Sequence, residues 1–228
     1  MSATDTLARC TDASRTFGSG PTAVVAVHGT TCEVNAGARI AISGPSGSGK
    51  STLLHLIAGL ELPTCGAVSW PRFSTVPAER AQDIGVVFQS PSLVPALDVA
   101  ENTALPLVLA GVSERECDDR VAEALNLVGL ANLARHLPEE LSGGQAQRVA
   151  VARVLALRPR LVLADEPTGQ LDHATGQHLM DTLMAATARI GAALVVSTHD
   201  RTVAARLDTH WRMHEGRLAT TIGEGELS

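Results

Sequence analysis

The chain has 228 residues and is 45% hydrophobic, which is enough for one generous core rather than several independent domains. Its formal net charge is −6, and it has no Lys/Arg-rich run that could neutralise a row of nucleic-acid phosphates. Aromatic residues make up only 2% of the chain, so stacking platforms for single-stranded nucleic acid are scarce. We therefore expect one compact domain that does not bind nucleic acid.

Four cysteines lie far apart in the sequence, at positions 10, 32, 65 and 117, without a CxxC pair or a Cys/His cluster. This spacing favours reduced thiols over a zinc site or a disulfide framework. The chain begins without a basic region and apolar core, and no stretch approaches the roughly 18 apolar residues of a membrane span. We expect a chain that does not cross a membrane by itself.

The first predicted elements surround a glycine-rich turn. Apolar, β-branched residues at 24–27 and 39–43 predict strands, and a helix fits residues 50–59, whose final glycine suits a C-cap. Residues 66–83 mix Pro, Ser, Arg and Trp without a clear period, which predicts a hairpin or an irregular excursion. A short apolar strand is predicted next, at 84–88.

The middle of the chain has a helical pattern from Asp98 to about Leu130, and we expect Pro106 and Gly111 to break it into shorter helices. Strands and helices then alternate, which favours a parallel sheet. The later predicted elements are helices at about 145–157 and 172–189, strands at 161–165 and 193–197, and small strands within 211–222. The pattern predicts an α/β fold with a mainly parallel sheet and an inserted helical lobe.

A phosphate-binding loop is predicted at residues 44–51, GPSGSGKS, which match GxxxxGK[ST] between a predicted strand and a predicted helix. Glycines there let successive N–H groups turn toward a phosphate at the positive end of the helix. We expect Lys50 beside the β- and γ-phosphates and the Ser51 hydroxyl on Mg²⁺. The flanking strand and helix argue against the alternative, a flexible Gly/Ser turn. The predicted nucleotide-binding residues are Gly44, Pro45, Ser46, Gly47, Ser48, Gly49, Lys50, Ser51 and Thr52.

Two carboxylates, Asp165 and Glu166, end the predicted strand LVLAD, at the edge where ligands of such sheets bind. Asp165 suits a role in holding Mg²⁺ and its waters, and Glu166 can accept a proton from, or orient, a water attacking the γ-phosphate. In the alternative interpretation, they start a solvated loop before Pro167, and Asp165 caps the next turn.

Gln89 and His199 each follow a predicted strand. The Gln89 amide can ligate Mg²⁺ or the attacking water, on a segment that we expect to be mobile. The His199 imidazole can hydrogen-bond the γ-phosphate or position Glu166 and its water. Gln89 alone would be an ordinary polar strand terminus, and His199 alone would be one histidine among eight. Beside a phosphate loop, both become candidate catalytic residues.

Residues 141–145 read LSGGQ before a predicted helix, so they present backbone N–H groups to an anion. This pentapeptide resembles the signature of the ABC ATPases, and we call it the signature segment. The other markers of that family occur in the same order over nearly the whole chain: GPSGSGKS at 44–51, Gln89, LVLADE at 161–166, GQLD at 169–172, and His199.

The resemblance implies a P-loop NTPase fold of the ABC type, with a RecA-like core at about 1–89 and 145–228 and a helical subdomain at about 90–144. In this family, the signature segment faces the γ-phosphate of a nucleotide held by the other subunit, and the Asp of GQLD links the two sites. Phe17 stands where members carry an aromatic that stacks on adenine, with simple burial as the alternative. The binding residues implied in this way are Phe17, Ser142, Gly143, Gly144, Gln145 and Asp172.

Four sequence segments resemble the lipoprotein-releasing and macrolide-export branch of the family: IGVVFQ at 84–89, LPL at 105–107, LVLADEPTGQLD at 161–172 and TG at 175–176. Such ATPases pair with permeases of few spans, and import is the less favoured direction. Gln170 replaces the more usual Asn, and the excursion after Gly66 is shorter than usual, so we expect a trimmed hairpin subdomain.

By the same resemblance, Ser90 to Glu101 lies where the permease's coupling helix docks. Leu93, Val94 and Leu97 would supply apolar anchors, with ordinary packing inside the helical lobe as the alternative.

The resemblance implies an enzyme that converts ATP and water to ADP and phosphate, with Mg²⁺. We expect a homodimer that drives a separate transmembrane permease from the cytoplasmic face of the plasma membrane. Two other classes stay open: a soluble ABC ATPase that acts on DNA, the ribosome or cell division, and a non-hydrolytic ATP-binding scaffold. The sequence has none of the coiled coils, basic patches or tandem cassettes of the first, and Glu166, Gln89 and His199 argue against the second.

Overall fold

The computed structural model describes residues 5–222. Short 3₁₀ turns lie at Gly20–Thr22, Ala131–Leu133 and Pro138–Glu140. The strands are β1 (Thr6–Phe17), β2 (Val24–Asn35), β3 (Arg39–Ser43), β4 (Cys65–Ser69), β5 (Ile84–Val87), β6 (Leu161–Asp165), β7 (Ala193–Thr198), β8 (Thr209–His214) and β9 (Arg217–Ile222). The helices are α1 (Lys50–Ala58), α2 (Pro77–Arg80), α3 (Val99–Leu109), α4 (Glu114–Leu127), α5 (Gly143–Ala156), α6 (His173–Ile190) and α7 (Arg201–Ala204).

The chain divides into two compact units, and the first combines the residues up to Arg80 with those from Ala193 onward. Its strands β2, β1 and β4 form an antiparallel sheet in that order. Strand β3 pairs in parallel with β7 on one side and β8 on the other, and β9 adds an antiparallel edge to β8. Helix α1 contacts β1, β2 and β7, and its buried leucines supply the core of this unit.

The second unit, Ala81–Ala192, contains the parallel strands β5 and β6 and helices α3 to α6. Helix α5 is its centre, because α5 packs on α3, α4, α6 and β5. An added Cβ at Gly85 would collide with Val154, so β5 approaches α5 more closely than a side chain allows. Glu123 of α4 pairs with Arg158 and Arg189, and the hydrogen bond from Arg158 and both positive charges hold the pKa of Glu123 below its ordinary value.

Most predicted elements are confirmed, with two corrections. Strand β1 was not predicted, because its register with β2 is interrupted by several irregularities and its burial does not alternate regularly. Pro106 does not break the helical segment, since α3 continues through it to Leu109. A proline in a helix removes one N–H donor and crowds the carbonyl four residues earlier, but here the chain leaves the helix only near Gly111, which has a φ of 73°. The 66–83 excursion contains most of strand β4, which begins at Cys65, and the single-turn helix α2.

In the part of the chain that the structure describes, no helix is long and apolar enough to cross a membrane. The four cysteines are free. Cys10 and Cys32 are direct partners across β1 and β2 and both are buried. The hydrogen bond that the Cys32 thiol donates to Cys10 lowers the pKa of Cys10 and raises the pKa of Cys32.

Candidate nucleotide site

The phosphate loop runs from the end of β3 to the first residue of α1. Gly44, Gly47 and Gly49 have φ values of 155°, 74° and 97°, which L side chains rarely adopt. A Cβ at Gly44 would collide with the backbone oxygen of Met213, and one at Gly49 would collide with that of Ala26. Glycine is therefore required at both positions by close backbone approach as well as by conformation.

Residues from distant parts of the first unit hold this loop. The Gly216 N–H donates to the Ser48 oxygen at 3.0 Å, and the His28 N–H donates to the Gly216 oxygen at 2.8 Å. Sequence reasoning missed Ala26, Met213 and Gly216. The turn at Gly216 between the two tail strands is the one signal in the sequence, but nothing there indicates that this turn lies against Ser48.

Lys50 is the only lysine of the chain. It begins α1, is 4% exposed, and donates from Nζ to the Gly44 oxygen at 3.0 Å and the Pro45 oxygen at 3.1 Å. An added Cβ at Gly47 would meet nothing within 4 Å, so the loop is open on that side. The buried Ser48 Oγ has no hydrogen-bond partner among the described residues. A buried cation and a helix N-terminus beside an open backbone fit a bound phosphate group.

His199 lies at the edge of the first unit's sheet where the phosphate loop begins. Parallel β3 and β7 pair Ser43 with Thr198, so Gly44 and His199 leave the sheet as neighbours. The imidazole is exposed. The prediction that His199 follows a strand at the phosphate-loop edge is confirmed.

A second group of predicted residues meets in the other unit. Parallel β5 and β6 pair Val87 with Ala164, so Gln89 and Glu166 follow their strands in matching positions. A Cβ at Gly169 would lie 3.4 Å from Nε2 of Gln89 and 3.6 Å from a carboxylate oxygen of Glu166. The amide and the carboxylate therefore border the same small space.

The backbone at the two carboxylates is constrained. Asp165 is 7% exposed, and Glu166 has a φ of 41°, an uncommon value for a residue with a side chain. The Gly169 N–H donates to the backbone oxygen of Glu166 at 3.0 Å and closes a turn. The helix that follows this turn is capped by Asp172.

The signature segment forms the start of α5, two residues earlier than predicted. Ser142 is the N-cap: its Oγ accepts from the Gln145 N–H at 3.3 Å, and the side-chain Oε1 of Gln145 accepts from the Ser142 N–H at 2.8 Å. Gly143 is open, since an added Cβ would meet nothing within 4 Å, whereas one at Gly144 would lie 2.6 Å from Thr175 Cγ2. The helix start is thus rigid and presents an accessible backbone at Gly143.

Asp172 caps α6, beside the signature segment. Its Oδ1 accepts from the Thr175 N–H at 3.0 Å. Hydrogen bonds from Thr175 hold the pKa of Asp172 below its ordinary value, so the carboxylate is charged at neutral pH. Thr175 also touches the Gly144 position, and the cap of α6 and the start of α5 are therefore in direct contact.

Two residues of α5 that sequence reasoning missed hold the segment around Gln89. Gln147, which is 3% exposed, donates from Nε2 to the Phe88 oxygen at 3.0 Å. Arg153 donates to the backbone oxygens of Ser92 at 2.9 Å and Pro91 at 3.0 Å, and burial lowers its pKa. The helix that begins at the signature segment thereby fixes the backbone on both sides of Gln89.

Phe17 ends β1 and is 39% exposed, so its ring is not simply buried. The expected docking segment is ordered by Asn102, whose amide accepts from the Val94 N–H at 2.8 Å and donates to the Leu97 oxygen at 2.8 Å. Val94 is 36% exposed, and Leu93 and Leu97 are half-buried. Val94 is the member of this apolar set that is most open to a partner.

Comparisons with known proteins point to one family. Residues 27–169 match the family model described as ABC transporter. The chain is 41% identical over 211 residues to the lipoprotein-releasing system ATP-binding protein LolD of Legionella pneumophila, covering 90% of this chain and 93% of that protein. It is 42% identical over 216 residues to an uncharacterized ABC transporter ATP-binding protein of Mycobacterium tuberculosis, covering 92% and 87%.

Solved structures share the fold. The dimeric ATP-binding cassette MJ0796, in a post-hydrolysis state bound to ADP and Pi, has a TM-score of 0.86 and 34% identity, covering 96% of this chain and 100% of that chain. CbiO1 of Clostridium perfringens, part of the ABC transporter complex cbiONQ, has a TM-score of 0.82 and 28% identity, covering 94% and 87%. With the loop, the signature segment and these matches, the chain belongs to the ABC transporter family, as an ATP-binding subunit with the P-loop α/β cassette fold.

Proposed function

We propose that this ATP-binding subunit hydrolyses ATP to ADP and phosphate to drive a separate transmembrane permease, in a system for lipoprotein release or export. The proposal of hydrolysis rests on one observation: the Gln89 amide and the Glu166 carboxylate lie close together beside Gly169. A phosphate loop by itself binds a nucleotide, whereas hydrolysis requires that a water be oriented and deprotonated. A constrained carboxylate beside a neutral amide suits that task.

In the first unit, Lys50 is proposed to move from the Gly44 and Pro45 oxygens onto the β- and γ-phosphates. The backbone N–H groups of residues 46–52 would hold the same phosphates at the N-terminus of α1. His199, which leaves the sheet beside Gly44, would donate a hydrogen bond to the γ-phosphate. Phe17 would stack on the base.

In the second unit, Glu166 is proposed as the base that accepts the proton of the attacking water, and Gln89 as the residue that orients it. Mg²⁺, when bound, would neutralise charge on the phosphate oxygens. Ser51, Gln89 and Asp165 carry the oxygen donors that this cation prefers, and they are the proposed ligands. Asp165 is fixed for such a role by its burial at the end of β6.

The open helix start at Gly143 supports a second phosphate contact, made to a nucleotide that another copy of the chain holds. Residues 142–145 would supply this contact, with the Gln145 side chain holding the Ser142 backbone, and Asp172 would link the two nucleotides across the interface. The dimeric state of the MJ0796 cassette supports this proposal. We propose a homodimer that is stabilised by ATP.

The permease and the cargo are proposed from the relatives. CbiO1 is part of a transporter complex, and LolD belongs to a lipoprotein-releasing system. Val94, on the segment that Asn102 and Arg153 hold, is the proposed contact for the permease. The chain would then act at the inner face of the plasma membrane, as one ABC ATPase domain whose helical subdomain spans about 90–144.

The test is light scattering after size exclusion, on the wild type and on Glu166→Gln, with and without MgATP, together with ATPase rates. Glu166→Gln should bind MgATP, form a persistent dimer and lose about 10²- to 10⁴-fold in turnover, the range of a general base. Asp119→Asn, an equivalent change at an exposed position of α4, is the matched control and should behave as wild type.

Normal turnover by Glu166→Gln would refute the assigned base. A wild-type chain that binds ATP without hydrolysing it, alone and with its permease, would instead support a non-hydrolytic scaffold.

A further inference from the structure

We propose that Arg15 is a positioning residue for the base of the nucleotide: it holds the ring of Phe17 so that the opposite ring face can stack on the base. This inference rests on the proposed function, because it concerns the base end of the same nucleotide. It assigns a role to a residue that belongs to none of the sequence motifs.

The contact is local and two-sided. Arg15 and Phe17 are two residues apart near the end of β1, and the Arg15 guanidinium carbon lies 4.6 Å from the centroid of the Phe17 ring. On its other side, Arg15 Nη2 lies 2.6 Å from a carboxylate oxygen of Glu61. The guanidinium therefore lies between a carboxylate and a ring, and it covers one face of that ring only.

Glu61 connects this pair to the phosphate loop. It follows α1 by three residues, and its N–H donates to the oxygen of His55 within that helix at 3.2 Å. The adjoining segment is bound to β1 as well, because the Thr64 N–H donates to the Ser14 oxygen at 2.7 Å. The series of contacts from Phe17 through Arg15 to Glu61 thus reaches the helix whose first residue is Lys50. This connection fixes the ring relative to the phosphates.

The ring needs such support because its own strand does little to hold it. Phe17 is the last residue of β1 and is 39% exposed, and it is followed by Gly18 with a φ of 75°. Its cross-strand partner Val24 is 62% exposed. A ring that is already oriented loses less rotamer freedom when it stacks on a base.

The charges distinguish positioning from attraction to phosphate. Arg15 is paired with Glu61, so the pair adds no net charge to the site. Removing Arg15 should therefore weaken a ligand that carries a base and spare one that is phosphate alone. A cation over an exposed ring corresponds to about a two- to fivefold change in affinity.

The experiment measures Kd by calorimetry for two probes, the magnesium complexes of a non-hydrolysable ATP analogue and of inorganic tripolyphosphate. Arg15→Ala should weaken the ATP analogue about two- to fivefold and leave tripolyphosphate unchanged, and Arg15→Lys should recover part of the loss. In the Phe17→Ala background, Arg15→Ala should have no further effect on the analogue. Arg9→Ala, on the same strand, is the matched control, since Arg9 pairs with Glu33 and should affect neither probe.

Glu61→Gln removes the ion pair with Arg15 and keeps the fold of the strand end. It should weaken binding of the ATP analogue by less than Arg15→Ala does, and it should leave tripolyphosphate binding unchanged. The inference is overturned by equal losses on both probes, by an unchanged affinity of Phe17→Ala for the analogue, or by additive effects of Arg15→Ala and Phe17→Ala. If the wild type binds neither probe, the proposed function itself fails, so the two failures are distinguishable.

Discussion

The Gln89 amide nitrogen and a Glu166 carboxylate oxygen both lie close to Gly169, at 3.4 Å and 3.6 Å from the position that a Cβ would take there. Their matching positions after β5 and β6 bring them together, and the turn closed by the Gly169 N–H keeps Glu166 at a φ of 41°. A glycine at position 169 thus leaves the amide and the carboxylate undisturbed.

Gly169→Ala should reduce kcat about tenfold with little change in ATP affinity. The new methyl group would press on the Gln89 amide and on the Glu166 backbone oxygen, which lies 3.3 Å away. Displacements of a few tenths of an ångström misplace catalytic groups without unfolding a turn. Steady-state kinetics and the thermal unfolding temperature check this together. A variant with wild-type kcat would mean that this spacing does not matter for turnover.

Lys50→Ala should lose about 10- to 150-fold in affinity for MgATP, because a charge-assisted hydrogen bond to phosphate contributes about 1.5–3 kcal/mol. The variant loses the hydrogen bonds to the Gly44 and Pro45 oxygens. It should still fold in the apo state, because alanine favours the helix that begins at this position. Calorimetric titration and circular dichroism measure the two effects. Retained affinity in a folded variant would remove Lys50 from the site.

Chemical acylation offers an independent test, since Lys50 is the only lysine side chain that an amine-reactive reagent can modify. At 4% exposure it should react slowly, and MgATP should slow the reaction further by covering the loop. Peptide mapping by mass spectrometry would follow Lys50 against the N-terminal amine as an internal reference. Equal modification with and without MgATP would contradict a phosphate contact at Lys50.

The two signature glycines should respond differently to alanine. Gly144→Ala brings a Cβ to 2.6 Å from Thr175 Cγ2, and such overpacking should lower the free energy of unfolding by about 1–3 kcal/mol. Gly143→Ala meets open space and should leave that free energy unchanged or slightly higher. Urea unfolding measures both.

Thr175→Ser removes Cγ2 and keeps the backbone N–H that donates a hydrogen bond to Asp172. Combined with Gly144→Ala, it should restore the free energy of unfolding that Gly144→Ala alone loses. Failure of this rescue would place the strain elsewhere. Any loss of ATP-dependent dimerisation in the stable Gly143→Ala variant would then report on the second phosphate contact.

The cap of α6 predicts a pH dependence. Because the pKa of Asp172 is lower in the folded state, its contribution to stability is complete above the unfolded-state pKa and is lost as the pH falls through the folded-state value. Asp172→Ala should therefore lower the unfolding temperature at neutral pH. The gap, meaning the difference in unfolding temperature between this variant and the wild type, should narrow in acid. Asp172→Ser, which keeps a neutral acceptor, should show a smaller gap at neutral pH. A gap that is independent of pH would contradict this assignment.

The sequence by itself determined the local parts of this protein. Residues 44–51 are recognisable because the glycines, the lysine and the helix start act through neighbouring backbone atoms. The start of α5 is similar, since Ser142 and Gln145 bond within one turn. Strands β3, β6 and β7 could also be predicted, because each is a short apolar run whose residues are mostly buried.

Only the tertiary structure decided which distant segments support these local parts. The irregular register hid β1, and with it the contact of Arg15 with Phe17 and Glu61. The approach of Met213 to Gly44 and the bond from Gln147 to Phe88 join residues far apart in the chain. Such contacts follow from how strands register and helices pack. A single sequence carries no periodic signal for which of its remote segments will meet.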